Sequence, residues 1–207
     1  MSILFYYADP EKMPPEGGQF AQMGFGFSAD GALRLPERPQ RDALCVLDDR
    51  VLPERLPELA PLRPYLKNGV FCDLERTVCA RTRALLTALR AIRPENAPLF
   101  LPERACEGQR DAVPVVSVPG VPNCWERFCQ DASARCGGAW ALELIPARQP
   151  CALPCRARRA IPNACCMLEN GRYFDTRATL LQKARAAERF GCTAVFVLRQ
   201  EFARLAR

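Results

Sequence analysis

Short apolar runs recur along this chain at fairly even intervals, several of them separated by amphipathic segments of helical period. A sequence keeps that alternation when it folds as β/α units around a parallel sheet. The runs fall at 3–8, 24–27 with a partner at 32–35, 43–48, 69–75, 98–101, 113–118, 139–145, 164–168 and 192–198. Residues 77–92 read as a helix closed by Pro94, and 176–190 as another closed by Gly191. In the second, Asp175 or Thr176 is the N-cap, and Leu180, Leu181, Ala184, Ala187 and Phe190 trace one apolar face. Residues 122–136 form a third helix starting from Asn123, whereas the prolines within 53–66 break that segment.

The Asn170-Gly171 dipeptide, between an apolar run and Arg172-Tyr-Phe-Asp175, predicts a tight hairpin turn. The proline-, arginine- and cysteine-rich stretch 146–162 is too long for a bare connection and reads as a surface excursion. The fold class is therefore α/β: a small (β/α)8 TIM-type barrel, short enough to be incomplete, with a hairpin excursion before the last helix. One core can bury roughly 70% of the unfolded surface of a chain this long, so residues 1–207 are read as a single domain.

The absence of histidine constrains the chemistry most. It removes Ser-His-Asp and Cys-His hydrolases and imidazole proton shuttles, and leaves acid–base work to Asp, Glu, Tyr, Lys or Cys. The net charge of +6 comes mainly from dispersed arginines, and the densest cluster, Arg156, Arg158 and Arg159, has no interleaved aromatics to stack on bases. Nucleic acid is accordingly not an expected partner. No run reaches the roughly 18 apolar residues of a membrane span. The start, MSILFYYADPEK, lacks a basic segment and a small-residue cleavage site. A cytoplasmic protein without membrane partners is expected; its oligomeric state is not set by the sequence.

Twelve cysteines are many for such a chain, but several sit inside apolar runs, where a reduced thiol behaves as a small hydrophobe. Without a secretion signal, a disulfide framework is not expected. Cys151, Cys155 and the Cys165/Cys166 pair are the sharper zinc alternative. Their C-x3-C and C-C spacings do not make a matched pair of C-x2-C knuckles, so neither metal nor cofactor is expected.

Acids fall at or just after the ends of many apolar runs: Asp9, Asp48, Asp49, Asp73, Glu75, Glu103, Glu143 and Glu201. In a β/α barrel those ends converge on one mouth, and a ring of carboxylates there suits sugars or cations. The alternative for Asp9, Asp48, Asp49 and Glu201 is that they cap the following helix. Glu143 differs, because it interrupts Trp140-Ala-Leu-Glu-Leu-Ile145, where a charge is costly unless paired or at the mouth. The strongest pair is Asp73 and Glu75 in Asn68-Gly-Val-Phe-Cys-Asp-Leu-Glu75, where i and i+2 share a face with Phe71 while Val70, Cys72 and Leu74 form an apolar one. Neighbouring carboxyls can keep one of the two protonated for use as a general acid.

That segment resembles the signature strand of glycoside hydrolase family 18, the chitinase-like barrels, whose pattern is D-G-x-D-x-D-x-E. The resemblance implies that Glu75 is the general acid and Asp73 the neighbouring acid that orients the substrate's acetamido group. It further implies substrate-assisted hydrolysis of an amino-sugar glycan, in which the acetamido oxygen attacks the anomeric carbon and no enzymic nucleophile is needed. Glu143, Glu103, Asp9 and Asp48 are then substrate-binding candidates around the mouth, and a carbohydrate is the partner. Asn68 stands where the family has its first Asp, and Phe71 where it has the inner Asp that couples to the residue at 73. These departures bear on turnover more than on the fold, and they leave a catalytically inactive barrel that binds glycan or acts as a scaffold as the alternative.

Overall fold

The computed structural model describes residues 4–9, 19–75, 77–118, 121–146, 150 and 157–198. The first half runs β1 (Leu4–Asp9), β2 (Gln19–Phe27), β3 (Leu33–Arg34), β4 (Leu44–Asp48), a 3-10 helix (Ala60–Tyr65), β5 (Val70–Asp73), α1 (Ala80–Ile92), β6 (Leu99–Pro102) and a 3-10 turn (Glu103–Ala105). The second runs β7 (Ala112–Ser117), α2 (Trp125–Cys136), β8 (Trp140–Glu143), β9 (Arg159–Ile161), a 3-10 turn (Pro162–Ala164), β10 (Cys166–Glu169), β11 (Arg172–Phe174), α3 (Arg177–Arg189) and β12 (Cys192–Leu198).

Strands pair in the order β1-β12-β8-β7-β6-β5-β4-β2-β3, and β1 also pairs with β2, so that eight strands close into a ring with β3 appended. The pairs β2/β4, β4/β5, β5/β6, β7/β8 and β8/β12 are parallel, and β3 runs antiparallel to β2. This is the (β/α)8, TIM-type barrel with flanking helices that the alternation of runs predicts. The short chain nonetheless supplies all eight strands, because most of them are only four to six residues long.

Several boundaries differ from the sequence reading. The antiparallel hairpin excursion before the last helix is present as expected: the run at 164–168 stays out of the ring, and β10 joins β9 and β11 in a separate antiparallel sheet. Its hairpin turn is the predicted one, with Asn170 and Gly171 both at positive φ (48° and 69°), as a type I′ turn requires. Helix α1 starts at Ala80 from Cys79 rather than at Thr77, and α2 is preceded by Cys124 rather than Asn123. Of the two expected candidates, Asp175 and Thr176, it is Thr176 that caps α3, its Oγ1 accepting from the Thr179 amide at 3.2 Å. The segment 53–66 is broken, retaining only the 3-10 helix around Pro64.

By density of contacts the chain divides into two compact units, Tyr7–Pro114 and Met1–Tyr6 with Val115–Arg207. In the first, Cys45 and Leu47 of β4, Val70 and Cys72 of β5, and Leu99 and Leu101 of β6 join one core with Leu85, Leu86 and Leu89 of α1 and Leu62 and Leu66 of the 3-10 helix. Each leucine buried there contributes roughly 1.5–3 kcal/mol relative to exposure. That exceeds the few tenths by which helix propensities differ and decides which face of α1 turns inward. At the far end of α1, Arg90 Nε donates to both carboxylate oxygens of Asp111 (3.0 and 2.9 Å), and Arg93 adds a bond at 3.1 Å.

The Arg90 bond holds the Asp111 carboxyl below its ordinary value, against a weaker opposing effect of burial. A depressed acid contributes stability above its unfolded value of about 4, and loses it as pH falls through the lower folded value. With the Asp111 side chain 43% exposed, the contribution is limited to about 1 kcal/mol or less. Asp111→Asn should therefore flatten the fall in urea midpoint between about pH 5 and pH 2; an unchanged slope would show that Asp111 has no part in it.

In the second unit, Trp125 of α2 and Trp140 of β8 are both fully buried. Their indole N–H groups donate to carbonyls of the α3 region, Trp125 to Lys183 O and Trp140 to Phe190 O, each at 2.9 Å. Both tryptophans thus anchor the last helix and are core residues rather than platforms for sugar stacking.

Candidate functional site

The acids at the strand ends of the first unit are set by register. In the parallel β4/β5 pair, Cys45 lies beside Val70, Val46 beside Phe71, Leu47 beside Cys72, and Asp48 beside Asp73. Cys45, Leu47, Val70 and Cys72 belong to the core under α1, so alternation places Val46, Asp48, Phe71 and Asp73 on the opposite face. Asp48 and Asp73 are thus register partners at the last residues of adjacent strands, whose backbones lie about 4.8 Å apart.

Cations resolve what would otherwise be repulsion. Arg34 and Arg50 each place an Nη2 2.8 Å from Asp48 Oδ2, and Asp48 Oδ1 accepts from the Arg50 amide at 3.3 Å. Arg34 reaches Asp48 because β3 folds back on β2, pairing Arg34 with Gly26. A Cβ on Gly26 would lie 3.1 Å from both Asp48 Oδ1 and Arg34 Nη2, so a side chain there would crowd the pair. The Arg50 guanidinium is raised above its ordinary value, first by its bond to Asp48 and then by the charges of Asp48, Glu75 and Asp73. Asp48 bonds Arg50 directly, and Glu75 and Asp73 act on its charge from farther off.

Glu75 is not on the strand. Strand β5 ends at Asp73, and the Leu74 amide donates back to Cys72 O at 3.0 Å. The Glu75 amide donates to Asp49 Oδ1 at 2.8 Å, and Arg104 Nη2 donates to Leu74 O. The expectation that Asp73 and Glu75 share a strand face with Phe71 is thus corrected: the alternation stops at Asp73, and the exposed Glu75 is placed by its backbone bond to the fully buried Asp49. Neither Asp48 nor Asp49 caps a helix; the first is held by two guanidiniums and the second ties the end of β4 to the residues after β5.

The remaining candidates are placed separately. Glu103 is half-buried and opens the 3-10 turn after β6, next to β5 in the sheet. Asp9 ends β1, and its side chain lies outside the described residues, as do Glu201, Cys151 and Cys155. Glu143 belongs to the other unit, where it ends β8 beside Ser117 of β7 and accepts a bond from the Ser117 hydroxyl. Because Trp140 points to the α3 side, Glu143 lies on the opposite face of β8, as its alternation predicts.

The strand-end acids by themselves do not point to the arginines that hold Asp48. Arg50 was visible as the residue directly after Asp48-Asp49; Arg34 was not, since only the fold-back of β3 brings it near. The assembly offers carboxylate acceptors and guanidinium donors side by side, a set that can bond polar donor and acceptor groups. Among the described residues, no group of three or more His, Cys, Asp or Glu could hold a metal ion, and no helix is long and apolar enough to cross a membrane. No protein-family model, curated protein or solved structure matches this chain.

Proposed function

We propose that residues 1–207 work as one glycoside hydrolase family 18-like barrel domain that binds an amino-sugar glycan without turning it over. The observation that carries this reading is the Asp48–Asp73 register pair at the ends of β4 and β5, with Arg34 and Arg50 bracketing Asp48. Strand C-terminal ends are where β/α barrels build ligand sites, and charge-assisted donors and acceptors there are the groups that grip sugar hydroxyls. Buried Phe71 takes the place of the inner acid that would pass charge to Asp73, so the two-acid relay of the resembled hydrolases is missing. Glu75 is exposed beyond the last residue of β5 and has no apolar enclosure around it among the described residues.

The second reading, substrate-assisted hydrolysis with Glu75 protonating the leaving oxygen, is favoured by one observation: Glu75 stands exposed just beyond the last residue of β5, on the C-terminal side of the strand. Calorimetric titration with chitooligosaccharides and hydrolysis of an aryl N-acetylglucosaminide separate the two. Binding that is lost in Asp73→Ala by tenfold or more, about 1.4 kcal/mol, is expected to accompany an absence of turnover. Hydrolysis that disappears in Glu75→Gln with binding retained would replace the first reading by the second. No affinity for any amino-sugar oligomer would sink both.

A further inference from the structure

The second unit holds a groove of about 760 Å³ between the start of α2, the outer face of α3 and the 3-10 turn before β10. It brings together Cys124 and Cys165, residues far apart in sequence, with Glu126, Gln182, Arg185 and Arg189 around them. The volume lies within the ordinary range of small-molecule sites. Cys124 is exposed at the residue before α2, and Cys165 is half-buried after the turn that packs on α2.

Cys165 has an unusual backbone. Its φ and ψ are both 47°, the left-handed region. Asn170, in its hairpin turn, is the other non-glycine residue with positive φ among the described residues. An L-residue without a locally bonding amide or carboxylate side chain is strained there, and such outliers cluster at functional sites. Here the strained position presents a thiol to the groove, while the next residue, Cys166, turns into the core. The Cys165 Sγ donates to Pro162 O at 3.4 Å. Burial pushes this thiol up, and the Lys183 ammonium works in the opposite direction. Charge on the groove walls is uneven: Arg189 is engaged by Glu126, whereas Arg185 has no ion-pair partner among the described residues.

We propose that this groove is a two-thiol exchange site for a low-molecular-weight disulfide bearing carboxylates, of the glutathione disulfide class. Cys124, the more exposed thiol, attacks one sulfur of the small disulfide. A Cys124–S–S–R bond forms as the S–S bond of the reagent breaks, and the departing R–S⁻ thiolate takes up the proton Cys124 has lost. Cys165 then attacks the Cys124 sulfur, giving a Cys124–Cys165 disulfide and releasing the second R–SH. Two protein thiols are oxidised and one small disulfide is reduced to two thiols. The Arg185 guanidinium meets a carboxylate of the incoming reagent and sets its preference. This inference is independent of the glycan reading, which concerns the other unit.

The test treats the whole protein with glutathione disulfide and, separately, with the cationic disulfide cystamine, and follows each cysteine by peptide mass mapping. Cys79 is the internal control: it is exposed in the other unit, and its bonds with Thr82 lower its thiol below the ordinary value. Relative to Cys79, Cys124 should prefer glutathione disulfide over cystamine by about fivefold, the size of one exposed charge contact, and Arg185→Ala should erase the preference. Wild-type protein should proceed to a Cys124–Cys165 disulfide, while Cys165→Ser should stop at the mixed disulfide on Cys124. Equal reagent preference at Cys124 and Cys79, first reaction at any other cysteine of this unit, or identical products from wild type and Cys165→Ser would overturn the proposal.

Discussion

Replacing Lys183 by Met should destabilise the protein by about 3–5 kcal/mol, lowering Tm by roughly 10 °C for a chain of this size. Lys183 and Asp175 are 3% and 1% exposed, and Lys183 Nζ lies 2.8 Å from Asp175 Oδ2. The other carboxylate oxygen accepts from the Thr179 hydroxyl at 2.9 Å. Removing the ammonium takes the Lys183 charge away from a buried carboxylate, and this dominates the loss. The ammonium also lies 5.2 Å from the Trp125 ring centroid, so a smaller cation–π contribution disappears with it. Replacing both partners, Lys183→Met with Asp175→Leu, should recover most of the stability, because no charge is then left without a partner. Urea unfolding of the three proteins decides the matter. A Lys183→Met loss under about 1 kcal/mol, or a double variant no better than the single one, would show that the pair is not the element holding α3 in place.

The parts of this fold that were legible in the sequence are those fixed by local pattern. Apolar runs alternating with helical segments specify β/α units, and Asn170-Gly171 specifies its turn because both positions need positive φ. Thr176 at the start of α3 was legible for the same reason, since a hydroxyl followed by a helical period is a cap. What was illegible depends on contacts distant in sequence. Nothing near Glu75 reveals that its amide is captured by Asp49, 26 residues earlier, which ends the strand at Asp73. Strand β9 lies in a Pro-Arg stretch without alternation, and it exists because β10 supplies a pairing edge. At the candidate site, the acids were legible as strand-end residues, but their electrostatic setting was not. Asp48 is held not only by its near neighbour Arg50 but also by Arg34, which arrives from β3, a tertiary event.

Gly69→Ala should cost about 3–5 kcal/mol, the sum of backbone strain and overpacking at one position. Gly69 has φ of +104°, outside the range an L-residue adopts readily, and a Cβ there would lie 2.6 Å from Pro98 O, with Pro98 Cγ and Cδ at 2.7 and 2.9 Å. The carbonyl cannot simply step aside. It accepts from the Val70 amide at 2.9 Å, the first rung between β5 and the segment leading into β6, while Gly69 O accepts from Cys45 at 3.3 Å on the β4 side. Relief of the clash must therefore shift β5 against at least one neighbour, and Asp73 lies on the same short strand. Gly108→Ala supplies the control, because Gly108 also has positive φ (+73°) but its Cβ would meet nothing within 4 Å. That variant isolates backbone strain, about 1 kcal/mol. If the β5 shift reaches Asp73, Gly69→Ala should lose glycan affinity as well as stability, whereas Gly108→Ala should keep its affinity. Equal losses of stability in the two variants would mean that the approach of Pro98 O to Gly69 does not constrain the strand, and that the register bringing Asp73 beside Asp48 is held by side-chain packing instead.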